Sequence, residues 1–466
     1  MITSAVGRTF LKEYNRRHNT DYTAREFYDE VFFPLFFDHP KYLMWVQNSP
    51  YVQGISKKKP FFEAEERAEK LQAFHHKVEA GNRDASTAIG YPASELKEFA
   101  TTSGLVTDLE IDADVEEVYL SWIGGALSAG VAGGYTILFD NPEIIYHTFE
   151  GWTFYRKFLN DPVYERLRAN QISTWNGQWL TYRFGKRYSP NVDFATLEDE
   201  NVFTIDKASI SINTTDWSRL FFSLSRKFPE SEQTGYIFSL GQTNKTLGFY
   251  PFHFKKGRSL VDIYNNLFGE DNFKINTADF EGLFGKHIKR ACELGAIGLQ
   301  ALEPKNLSKY FASTSNLNLK RPNYERKKSE NDTKYAKRKA KLELKDYESI
   351  LYYRTYKTWL LAMITKNKTE MLEYTTSIAK ALIRYREGAR KRDRANLLEN
   401  ELFASSGKKA FLESLNKIAN DDTVDQEIIE QIKELRDRAY LMNDQEFTYL
   451  LLLLKFDYAY QERINN

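Results

Sequence analysis

The chain has 466 residues, with 65 Lys and Arg against 64 Asp and Glu, and a single cysteine, Cys292. That length exceeds one ordinary core and points to two or three units, while a lone thiol excludes an internal disulfide and any multi-cysteine zinc site. A net charge of +1 neither favours nor excludes nucleic acid; with no basic-then-apolar leader and no apolar run near the roughly 18 residues a membrane helix needs, a cytoplasmic protein is expected.

In chain order, Thr23-Ala24-Arg25-Glu26 has capping-box spacing and leads into FYDEVFFPLFF, where Pro34 ends or kinks a helix. Lys57-Lys58-Lys59-Pro60 forms a short basic loop before a helix from Phe61 to about Ala80, stopped by Gly81. Leu109, Ile111, Ala113 and Val115 alternate with Asp108, Glu110, Asp112 and Asp114, a period of two that predicts a half-exposed strand. From Val118 to Phe139 no charge occurs, and five glycines (Gly124, Gly125, Gly130, Gly133, Gly134) mark a packed or ligand-facing centre. Asn141 and Pro142 then read as N-cap and first helical residue.

Strands are predicted at Tyr135–Phe139, Trp179–Phe184, Val202–Ile212, Tyr236–Leu240 and Thr246–Phe252, and helices from Ser259 to about Phe268 and Thr277 to about Leu294. Composition changes at Pro304, where a polar stretch almost free of aliphatic residues reads as a linker. Helical patterns near 343–366, 369–395, 408–419, 425–441 and 444–463 predict a bundle, its last helix capped by Asn443. The fold class is therefore α+β: a mixed body over 1–303, a basic linker over 304–340 and an all-α bundle over 341–466.

Metal and nucleotide chemistry find little support. The histidines lack ligand spacing, with His75 and His76 adjacent rather than four apart. Neither GxGxxG, GxxxxGK[ST] nor GxSxG occurs, and no cofactor is implied. Asp84, Glu95 and Lys97 have the acid and lysine types a metal-dependent nuclease uses, although an ordinary exposed helix gives the same short pattern.

Nucleic-acid signals are better. Trp175, Asn176, Gln178 and Trp179, followed by Tyr182, Arg183, Lys186 and Arg187, combine aromatic faces, amides and cations. Amides can pair with base edges, aromatics can wedge between bases and cations neutralise phosphates; the alternative is a core-anchoring tryptophan pair. Between Lys320 and Lys345 eleven Lys and Arg face four Asp and Glu, among them Lys327, Lys328, Lys337 and Arg338. Arg384, Arg386, Arg390, Lys391, Arg392 and Arg394 crowd a helix end, a pattern suited to phosphate contact or to a solvated face.

This layout, an irregular α/β body, a basic hinge and a helical bundle ending in TYLLLLLKFDYAYQE, resembles the large subunit of type I CRISPR Cascade surveillance complexes. Some members carry paired CxxC motifs that this chain lacks. The resemblance implies a non-catalytic subunit with double- and single-stranded DNA, a guide RNA, other Cascade subunits and a recruited helicase-nuclease as partners, and no membrane. It implies duplex reading by Gly130, Gly133 and Gly134 or by Asn176 and Gln178, with Trp175 or Trp179 as a wedge. It further implies that the bundle arginines and the 326–345 basic run hold the displaced strand. A metal-dependent defence nuclease and a protein-only scaffold are the alternatives.

Overall fold

Asn141 and Pro142 do what their types dictate. The Asn141 Oδ1 accepts from the amides of Glu143 and Ile144 at 3.0 Å each, and Pro142 opens the helix Pro142–Asn160. This helix packs on a second, Ile172–Arg183, and the two hold the aromatic core of the body. The computed structural model describes residues 1–46, 49–81, 87–90, 113–239, 245–270, 273–307, 323–327, 330–364 and 368–465.

The chain divides into two compact units, Met1–Lys255 with His287–Gly298, and Lys256–Lys286 with Leu299–Asn466. The architecture is α+β with a C-terminal helical bundle. In the body, an antiparallel sheet runs β1 (Ala129–Val131), β2 (Tyr135–Phe139), β5 (Glu232–Ser239), β6 (Lys245–His253), and a separate hairpin pairs β3 (Phe203–Ile205) with β4 (Ile210–Ile212). The opening helix, Ile2–His18, crosses Val115–Ala126 with backbones almost touching. A Cβ at Gly124 would stand 1.9 Å from the Thr3 carbonyl oxygen, and one at Gly7 would stand 2.1 Å from that of Leu120. Only glycine permits this crossing, so part of the uncharged glycine run serves packing.

The second unit has no strand among its described residues. Asp332–Ile364, Lys368–Glu387, Lys408–Ala419, Gln426–Leu441 and Asp444–Asn465 are its main helices. At its centre Asp457, 1% exposed, pairs with Lys357 at 2.5 Å and accepts from Thr375 at 2.7 Å, a buried charge pair satisfied by hydrogen bonds. Residues outside 341–466 complete this unit. Arg354 donates to the Phe273 carbonyl and Trp359 to that of Leu299, both at 2.9 Å.

Five expectations need correction. The stretch 179–184 is the end of a helix, not a strand, and the single strand expected at 202–212 is the β3–β4 hairpin. The helix expected over 277–294 is two pieces, Thr277–Leu283 and Ile288–Cys292, parted at Gly285 with φ +99°. The expected linker contains the start of the helix Asp332–Ile364. Of the alternating acids, 108–112 lie outside the described residues; Asp114 accepts from the Glu117 amide at 2.7 Å and caps a helix that already includes Val115. Among the described residues no helix is long and apolar enough to cross a membrane.

Candidate nucleic-acid interface

The Trp175–Trp179 region is interior. Trp175 and Asn176 are 0% exposed, Trp179 2% and Gln178 3%. Both polar atoms of the Asn176 carboxamide, the Gln178 Nε2 and both indole N–H groups are already engaged. Asn176 Nδ2 donates to the carbonyls of Ala126 (2.7 Å) and Ser128 (2.9 Å), and its Oδ1 accepts from the Trp152 indole (3.2 Å). Gln178 Nε2 donates to the Asn213 carbonyl, Trp175 Nε1 to Gly151 and Trp179 Nε1 to His147. The expectation that these four residues contact DNA is thus overturned: their partners, backbone carbonyls and the Trp152 indole, would be left unsatisfied in the core. Gly130 is interior too, its carbonyl only 2.1 Å from where a Cβ on Gly177 would sit.

Gly133 and Gly134 fare differently. They form the exposed tip of the β1–β2 hairpin, with φ +100° and +78°. Lys186 is exposed; Arg187 is exposed but paired with Glu200 at 2.9 Å. Arg183 is half-buried, 3.5 Å from Glu150 and stacked over the Tyr188 ring at 4.3 Å.

In the helical unit, three of the predicted cations are structural. Arg394, 4% exposed, binds Asp421 at 2.9 Å, the Tyr385 carbonyl at 2.8 Å and Thr423 at 2.6 Å, and covers the Tyr385 ring. These hydrogen bonds from Arg394, joined by Thr423, hold the Asp421 carboxyl well below the usual carboxylate range. Arg386 is largely buried against Glu462 and the Tyr458 ring. Arg338 grips Glu330 through two bonds, at 2.7 and 2.9 Å, and donates to the Glu325 carbonyl at 2.7 Å. These three are therefore corrected from DNA ligands to clamps. Arg384 is exposed and paired with Glu427 at 3.1 Å, and Arg390 is exposed at φ +53°. Arg390 borders a cavity of about 300 Å³ shared by Arg394, Lys417, Asp393, Asp421 and Asp422, where opposed charges leave no clear preference for an anion.

The helix Asp332–Ile364 begins within the stretch expected as a linker and carries a cationic face there. From Asp332 to Lys345 nearly every residue is exposed. At about 100° per residue, Lys334, Lys337, Arg338, Lys341 and Lys345 fall within an arc of roughly 100°, with Asp332, Glu343 and Asp346 on the opposite side beside Lys339, while Glu348 closes the lysine arc at its C-terminal end. The row runs for about 16 Å along the axis. Arg338 turns back to the carbonyls of Asn323 and Glu325, and Lys327 is also exposed. Among the described residues no carboxylate pairs with Lys334, Lys337, Lys341 or Lys345. Lys334, Lys341 and Lys345 were legible as a stripe to a helical reading of 332–345, which the polar composition upstream discouraged. Lys328, and the nuclease candidates Asp84, Glu95 and Lys97, lie outside the described residues.

No protein-family model, curated protein or solved structure matches this chain.

Proposed function

We propose that this chain is a non-catalytic nucleic-acid-binding subunit that holds a phosphate backbone along its helical unit. The lysine stripe at 334–345 carries this reading. Lys334, Lys337, Lys341 and Lys345 are exposed, pair with no carboxylate among the described residues and share one face, with Asp332, Glu343 and Asp346 on the other and Glu348 bounding the row at its end. A helix inserted deep in a groove would turn Asp332, Glu343 and Asp346 toward phosphates, so a single backbone lying along the lysine face fits the charge pattern better. The layout of body, basic hinge and bundle supports a finer assignment: the large subunit of a type I CRISPR Cascade complex, working with a guide RNA, other Cascade subunits and a recruited helicase-nuclease. There the helical unit holds the displaced strand, and the exposed Gly133–Gly134 tip replaces the buried tryptophan helix as the candidate for approach to the flanking duplex.

The test is binding of labelled single-stranded DNA by the full chain across a salt series. Changing Lys334, Lys337, Lys341 and Lys345 to Gln is expected to reduce the slope of log affinity on log salt by about 2.8, at roughly 0.7 per lost phosphate contact. An unchanged slope removes the stripe from the interface. Co-expression with candidate partner subunits, followed by recovery of bound RNA, tests the finer assignment.

A further inference from the structure

The body unit has a cationic element of its own in the loop 53–62. Ser56 and Lys59 exchange backbone hydrogen bonds, Ser56 N to Lys59 O at 2.9 Å and Lys59 N to Ser56 O at 3.1 Å, closing a two-residue turn whose tip is Lys57-Lys58. Both lysines are exposed. The rest of the loop is tied down. Phe62, 3% exposed, lies beneath it, with the ammonium groups of Lys59 and Lys70 over its ring at 5.3 and 4.8 Å. Lys70 donates to the Gln53 carbonyl at 3.1 Å and Arg67 to that of Phe62 at 2.6 Å. Lys59 pairs with Glu66, which also caps the helix Ala64–Glu79 through the Glu63 amide.

Two points separate this turn from an ordinary solvated surface. The Glu66 carboxylate is taken by Lys59, and no carboxylate among the described residues pairs with Lys57 or Lys58. The turn does not select lysine either. Tight hairpin turns favour Asn, Asp or Gly where φ is positive, and neither lysine has positive φ. Residue choices that the local fold does not require, on a scaffold that holds them still, are where function is looked for. A braced turn also loses less entropy on binding than a mobile one.

We propose that the Lys57-Lys58 turn is a second phosphodiester-backbone contact, built into the body and separate from the lysine stripe. The proposal rests on the reading of this chain as a nucleic-acid binder. Two adjacent ammonium groups at a rigid convex tip neutralise two phosphates, whether of a single strand or of one edge of a duplex.

The test uses the full chain, a labelled single strand and a duplex of the same sequence, each titrated across a salt series, with sodium polyglutamate as an acidic-polypeptide probe. Changing Lys57 and Lys58 to Gln is expected to leave the melting temperature in place. It should lower the salt slope by about 1.4 for the single strand or about 1.8 for the duplex, at roughly 0.7 and 0.9 per phosphate. The ligand whose slope changes identifies the source of the backbone. Changing both to Arg should keep the slope, since charge is what the contact needs. If wild type binds DNA, the stripe variant weakens it and the Lys57/Lys58 variant does not, this contact is refuted and the broader reading stands. Loss of polyglutamate binding alone would likewise overturn it, marking an acidic protein partner. If wild type binds neither nucleic acid, both readings fall together.

Discussion

The helix Ile172–Arg183 and the exposed half of the helix Asp332–Ile364 both attract attention as places to meet nucleic acid, and they put their polar atoms to opposite uses. In the first, amides and indoles turn inward and satisfy main-chain carbonyls. In the second, the ammonium groups of Lys334, Lys337, Lys341 and Lys345 are exposed and pair with no carboxylate among the described residues. Amide-rich aromatic clusters thus read two ways, because the geometry that suits a base edge also suits a peptide edge. A lysine has no such double use: burying its charge without a partner costs too much, so a row of lysines on one face declares a surface.

The contrast is sharpest in stability. Trp175→Ala should destabilise the body by about 3–5 kcal/mol through the cavity it leaves. Asn176→Ala should cost about 1–3 kcal/mol for each buried group it strands. Thermal or denaturant unfolding checks both; a well-folded Trp175→Ala protein with altered DNA binding would restore that helix to the interface.

Within the cations, Arg394 behaves like the first region although it belongs in sequence to the second. Its partner Asp421 has a folded pKa depressed below the ordinary value near 3.9. The pair therefore stabilises above about pH 4, and this is lost as pH falls toward the folded value. Asp421→Asn should be less stable than wild type at neutral pH by about 1.5–3 kcal/mol, with a gap that narrows at pH 3. A gap equal at both pH values would break the assignment of Arg394 as a clamp. The smallest effect is expected for the quadruple lysine-to-glutamine change at 334–345, which should alter stability by no more than about 0.5 kcal/mol. A large loss would mean that those lysines hold the fold.

Features set by neighbours in sequence were legible. Thr23 and Glu26 form their capping box, Asn443 and Glu446 another, and Gly81 stands at φ +79° just past its helix. The misread elements depend on distant contacts. Trp175-Asn176-Gly177-Gln178-Trp179 looks like a turn between strand residues, because Asn-Gly is a turn pair and Trp favours strands. It is helical because nearly every side of it is buried and Gly177 lets the strand residue Gly130 come against it. Burial all round erases the one-sided pattern by which a helix is recognised. At 332–345 the opposite holds: exposure all round leaves too few aliphatic residues to signal a helix, although alanine, lysine and arginine favour one.

Asn176-Gly177 also bears on how the protein ages. In an extended chain, the glycine amide nitrogen can attack the preceding carboxamide carbon, expelling ammonia and closing a succinimide that hydrolyses to aspartate or its β-linked isomer. Glycine offers least hindrance to that attack, since it has no Cβ. In the folded body the carboxamide is pinned by its three hydrogen bonds inside a helix, out of reach of the reaction. Once converted, the aspartate would bring a negative charge against the carbonyl oxygens of Ala126 and Ser128, with no donor for either. Time spent unfolded is therefore recorded chemically, and chains held open long enough lose the ability to return.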